Sequence, residues 1–200
     1  MDHSYLYSTR IESTFDDDQA EILSIFTHEL SRRSKCQITL INYHHGLPVS
    51  CPAQIIGIEK DVIDLDVSPY QAFTMKDQHY TFIRSNVLKH DVHAHVQYVN
   101  LKRRAASLQK FSYGEIMAER RKFVRLALEK PLHAMFATAD GLVQGKLVEI
   151  SINGACVQAD SSYSLAIGEE TTLTFMLHNI AQGLDYTMKT QALLALLRTL

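Results

Sequence analysis

Two short segments in the second half of the chain carry side chains suited to a flat, anionic ligand. The first, Glu119-Arg120-Arg121-Lys122-Phe123-Val124-Arg125, contains Arg-x-x-x-Arg at Arg121 and Arg125, with Arg120 just ahead of it. Guanidinium groups bind phosphate oxygens in paired hydrogen bonds, lie flat on purines and donate to the O6/N7 edge of guanine. The second segment is Glu149-Ile150-Ser151-Ile152-Asn153-Gly154. Asn153-Gly154 between two alternating runs predicts a hairpin turn, since both residues tolerate positive φ. That reversal places Glu149 and Ser151 at a strand end, facing one way because they are two apart. A carboxylate there accepts from the N1–H and N2–H₂ of guanine, and a hydroxyl donates to phosphate. Gly154 lets a flat ligand approach the backbone.

These segments need a scaffold, and the patterning predicts a mainly β one. One N-terminal helix is expected over 18–33. Asp16, Asp17 and Asp18 supply an N-cap and first-turn charge, Arg32 and Arg33 stand at its end, and Ile22, Ile25, Phe26 and Leu30 form its apolar stripe. From there the period becomes two. Ile38 and Leu40, then Ile63, Leu65 and Val67, then Val92, Ala94, Val96 and Tyr98 alternate with polar neighbours. His45-Gly46, Ser68-Pro69 and Lys76-Asp77 read as turns between strands. Strand patterns resume at 132–136, 142–150, 155–158, 172–177 and 188–197. The stretch 102–125 lacks alternation and is the most basic of the chain, so it reads as a connection with one helical turn near 113–119. The predicted architecture is two small antiparallel β-barrel domains, 1–104 and 121–200, joined by a basic linker over 105–120.

Composition narrows the function. Two hundred residues, 46% apolar and 21% charged, describe a folded chain with one or two cores. A formal net charge of −2, with neither half a polyelectrolyte, argues against a nucleic-acid binder. No run approaches the roughly 18 apolar residues that cross a bilayer. With no signal-peptide pattern at the start, and Cys36, Cys51 and Cys156 scattered without paired spacing, a cytoplasmic protein with free thiols is expected.

Arg-x-x-x-Arg followed some two dozen residues later by [DN]-x-Ser-x-x-Gly resembles the signature of PilZ domains, small β-barrels that bind the bacterial second messenger cyclic di-GMP. The likeness covers roughly 118–200. The first hundred residues more weakly resemble the barrel that precedes PilZ in flagellar-brake (YcgR-like) proteins, notably at Val92-x-Ala94-x-Val96. The resemblance implies a cyclic di-GMP site at Arg120, Arg121, Arg125, Glu149, Ser151, Asn153 and Gly154. Glu149 departs from the family's Asp or Asn. It is one methylene longer, which moves its oxygens by about 1 Å and costs about 1–3 kcal/mol if a hydrogen bond is lost. A further family strand, Gly-[Val/Ile]-x-Phe, has no counterpart after 197, so the second barrel is expected to lack its last strand. An open edge invites pairing with another chain, a second copy included.

The expected function is a non-enzymatic receptor. Its basic connection, uncovered by core and self-repelling, is ordered by ligand, which reorients the two barrels. The resemblance places the output on flagellar motor, pilus or secretion machinery. The rival is a PilZ-like adaptor acting through protein contacts alone. His90, His93 and His95 lie close together, but no companion ligands stand at metal-binding spacing, and they read as polar residues on the wet face of a strand. No metal, cofactor or catalytic nucleophile is expected.

Overall fold

The structure is a computed structural model, and it describes residues 6–33, 35–138, 141–159, 168–179 and 184–193. The chain divides into two compact units, Met1–Arg121 and Lys122–Leu200. The first contains β1 (Ser8–Arg10), α1 (Phe15–Arg32), β2 (Cys36–His44), β3 (Leu47–Glu59) and β4 (Val62–Asp66). There follow α2 (Pro69–Gln78), β5 (Tyr80–Arg84), β6 (Asp91–Asn100), β7 (Ala105–Glu115) and a 3₁₀ turn, Met117–Arg120. Strands β7, β4, β3, β2, β5 and β6 follow one another by antiparallel pairing, and β6 returns to β7, closing a six-stranded barrel. Alternating apolar residues fill it: Leu40, Ile63, Leu65, Ile83, Val92 and Leu108 are each fully buried. Both helices add to this core, α1 through Ile22 and Phe26, and α2 through Ala72 and Met75.

Several elements differ from the sequence reading. Helix α1 starts earlier, because the Thr14 hydroxyl, not an aspartate, caps it by accepting the Asp17 N–H. Asp18 is buried instead, and its carboxylate accepts the N–H groups of Glu12 and Ser13. Helix α2 replaces two predicted turns: Ser68 is its N-cap and Pro69 stands in its first turn. Its polarity is inverted, with Gln71 and Thr74 buried while Tyr70 and Phe73 are exposed, so no apolar stripe announces it. Gln71 is docked by a hydrogen bond from its Nε2 to Asn42 Oδ1. Tyr98 also leaves the apolar series, since register shifts in β6 turn it outward.

The expected linker is largely strand. Ala106 and Leu108 are buried, then Phe111 and Tyr113, a change of parity at Lys110, whose φ is 55°. That left-handed residue sits in a bulge opposite β6 and hides the alternation.

The second unit comprises β8 (Arg125–Thr138), β9 (Gly141–Ser151), β10 (Gly154–Ala159), β11 (Glu170–Asn179) and β12 (Leu184–Leu193). They form a second antiparallel sheet in the order β10-β9-β8-β11-β12. Ala134, Phe136, Val143, Leu147, Leu173 and Phe175 make its core. Gly145 is needed for backbone approach: a Cβ there would lie 2.4 Å from the Gln158 carbonyl oxygen. The predicted strand over 188–197 is seen as part of β12, and 194–197 lie outside the described residues.

Candidate functional site

A bulge in β9 exposes the site. Val143, Gly145 and Leu147 face the core in strict alternation, which would send Glu149 and Ser151 inward as well. Instead Leu147 pairs with Val157 of β10 while Glu149 pairs with Cys156, so Val148 is an extra residue. On the other edge Leu147 pairs with Leu132 and Glu149 with Ala127, the slack being taken by 128–131. Parity flips at Val148. Ile150 joins the core side, and Glu149 and Ser151 turn to the opposite face.

Two cross-strand rows result on that face. Ser151 lies between Arg125 and Gly154, and Glu149 between Ala127 and Cys156. Arg125 is therefore the first residue of a strand, not part of a connection as its sequence context suggests. Its guanidinium leans along the diagonal to Glu149, with Nη1 3.6 Å from Oε2. The Cys156 thiol is pushed up by burial and by the Glu149 charge, against the opposing pull of Arg125. Cys156 and Ala127 are the neighbours that sequence reading missed. The β9–β10 hairpin register would have supplied Cys156, whereas the irregularity at 128–131 hides Ala127.

The hairpin itself differs from expectation. Ser151 pairs directly with Gly154, so Ile152 and Asn153 form the turn, and neither Asn153 nor Gly154 has positive φ. The Ser151 hydroxyl accepts the Asn153 N–H at 3.4 Å and donates to the Gly154 carbonyl at 3.2 Å. Its only proton is thus used within the hairpin, leaving a lone pair, not a donor, for a ligand. Asn153 stands exposed at the tip.

Arg120 and Arg121 belong to the first unit. Arg120 donates through Nε and Nη2 to Glu115 Oε1 at 2.9 and 2.6 Å. Arg121 closes the 3₁₀ turn by donating its N–H to Ala118 O. This segment was expected to lack a core and to repel itself. Instead Ile116 is buried with Leu6, Ile41, Tyr43, Tyr80 and Phe82, and the Ala118 N–H reaches the Leu6 carbonyl. Acidic residues interleave with the arginines: Arg84 donates to both oxygens of Asp91 and both of Glu119, which holds its pKa above the ordinary arginine range. Tyr43 is pushed up to about 12, chiefly by burial and then by the Glu119 charge.

The histidines disperse. His93 stacks on Tyr7 at 4.7 Å and on Tyr80 at 5.7 Å, away from the wet face assigned to it, and burial lowers its pKa to about 4. His90 pairs with Glu12 at 3.0 Å, and His95 is exposed. Among the described residues no three His, Cys, Asp or Glu side chains are grouped to hold a metal ion, and no helix is long and apolar enough to cross a membrane. Cys36, Cys51 and Cys156 are free thiols, only Cys36 fully buried.

Residues 119–190 match the PilZ domain family. No curated protein matches the chain. Among solved structures, it is similar to the Bacillus subtilis inhibitor of motility MotI/DgrA, at 13% identity and a TM-score of 0.32, over 78% of this chain and 77% of that one. It is similar to Escherichia coli YcgR in complex with c-di-GMP at 13% and 0.31, over 86% and 73%. It is also similar to the K. pneumonia MrkH–c-di-GMP complex at 12% and 0.34, over 92% and 86%.

Proposed function

We propose that this chain is a cytoplasmic, non-enzymatic receptor for cyclic di-GMP. The observation that carries the reading is the face on which Arg125, Glu149, Ser151 and Gly154 come together, within a segment that matches the PilZ domain family. Arg125 supplies a guanidinium for phosphate or for a guanine edge, and Glu149 keeps one oxygen, Oε1, for the N1–H or N2–H₂ of guanine. Gly154 leaves the end of the row without a side chain. Arg120 and Arg121 supply further cationic contacts from the first unit, Arg120 exchanging Glu115 for a phosphate. Asn153 borders the ligand from the hairpin tip.

Binding changes the relative orientation of the two units, and that change regulates motility, attachment or secretion through a protein partner. Self-association belongs to the same proposal. Calorimetric titration of cyclic di-GMP into the full chain tests the reading. Saturable heat at tens of micromolar protein is expected, with Arg121→Ala and Arg125→Ala each at least tenfold weaker. Absence of heat would reject the receptor and leave an adaptor acting by protein contacts alone.

A further inference from the structure

The geometry points to Glu149 as a positioning residue whose side-chain length is matched to Arg125, so that shortening it to aspartate weakens nucleotide binding although the carboxylate is kept. This inference rests on the cyclic di-GMP reading of the site. In the sequence alone, Glu149 is a departure whose additional methylene displaces a ligand acceptor. The structure gives that methylene a different use.

Arg125 lies directly opposite Ser151, not opposite Glu149, which faces Ala127. A carboxylate at 149 therefore meets the guanidinium only along the diagonal, where backbones are about 7–8 Å apart and long side chains alone can touch. Glutamate closes this gap to 3.6 Å between Arg125 Nη1 and Glu149 Oε2. Removing one carbon–carbon bond, about 1.5 Å, takes the oxygen to roughly 5 Å, past the range of an ion pair. No other ion-pair partner within 4.0 Å is recorded for Arg125 among the described residues.

An arginine fixed before the ligand arrives loses less rotamer freedom on binding. The pair is half-exposed, with side chains 33% and 19% accessible, so its effect should be modest and read best in ligand affinity. If glutamate served only as a direct acceptor for guanine, its contribution would not depend on Arg125. The two roles therefore separate in a double-mutant cycle.

The test uses the full chain with cyclic di-GMP in calorimetry, comparing the parent, Glu149→Asp, Arg125→Ala and the double variant. Glu149→Asp should bind about three- to tenfold more weakly, and in the Arg125→Ala background the same change should cost less than twofold. Equal or tighter binding by Glu149→Asp would overturn the inference, as would an equal penalty in both backgrounds. A ligand-free reading accompanies it. In nitrogen NMR, the Arg125 guanidinium, assigned by its loss in Arg125→Ala, should rotate slowly in the parent and freely in Glu149→Asp. Identical rotation in both would also overturn it. Should the parent give no heat, the receptor reading fails, while the NMR comparison still decides whether Glu149 holds Arg125.

Discussion

The two ends of the basic run hold their arginines by different means. Around Arg120 the position comes from tertiary packing: Ile116 is buried in an aromatic layer, Ala118 hangs on the Leu6 carbonyl, and Arg84 clamps Glu119. At Arg125 the position comes from strand register, with Ser151 opposite and Glu149 on the diagonal. A one-turn 3₁₀ segment is held by a few isolated backbone bonds and side-chain contacts, whereas a strand residue is held by a continuous ladder of hydrogen bonds. Like charges thus sit on an adjustable support at one end and on a fixed one at the other. Each support can be broken separately.

Removing the packed anchor should have the largest effect. Ile116 is 3% exposed, so Ile116→Ala should cost about 2–5 kcal/mol of first-unit stability, read by urea unfolding. A cost below 1 kcal/mol would mean that the aromatic layer does not secure the turn. On the other side, Gly145→Ala drives a Cβ into the Gln158 carbonyl of the neighbouring strand. That should cost about 1–3 kcal/mol and unsettle the β9–β10 pairing that presents Ser151. Two unfolding transitions, only the second unit's shifted, would be the signature.

The contrast between the ends also explains what was legible in the sequence. Ile63, Leu65 and Val67 kept the period of two and gave their strand correctly. Strand β7 was hidden because Lys110 inverts the parity between Leu108 and Phe111, and α2 because its exposed residues are the aromatic ones. In the site, Glu149 and Ser151 were placed on one face from a turn read as Asn153-Gly154, although the turn is Ile152-Asn153. The difference moves the cross-strand partners by two residues, while Glu149 and Ser151 share a face by their spacing alone and the Val148 bulge decides which face it is. Long-range clamps such as Arg84 to Glu119 join residues 35 apart and leave no local pattern.

The aromatic layer brings an acid-side pH dependence to the adjustable end. His93 stacks on Tyr7, next in sequence to the Leu6 that holds Ala118. Its pKa is lowered from 6.5 to about 4, first by burial and then by the His95 charge. A depressed pKa means the unfolded chain takes up the proton first, so this stabilisation is complete above pH 6.5 and is lost as pH falls toward 4. Between pH 7 and 4.5 the parent should lose about 2 kcal/mol more than His93→Phe does. Parallel losses in the two proteins would show that His93 titrates normally.

The smallest effect is expected at the clamp. Arg84 is 43% exposed, so its pairs with Asp91 and Glu119 should add no more than about 1 kcal/mol to global stability. Its influence is local. Arg84→Ala removes the only ion pair recorded for Glu119 among the described residues, yet leaves Ile116 buried and the barrel closed. The amide protons of Ala118 and Arg121, which bond to Leu6 and Ala118, should then exchange several-fold faster at unchanged midpoint of unfolding. Exchange at β8 and β9 should stay as in the parent, because strand register, independent of Arg84, holds the Arg125 backbone. Faster exchange there too, or none at Ala118, would erase the distinction between the two supports.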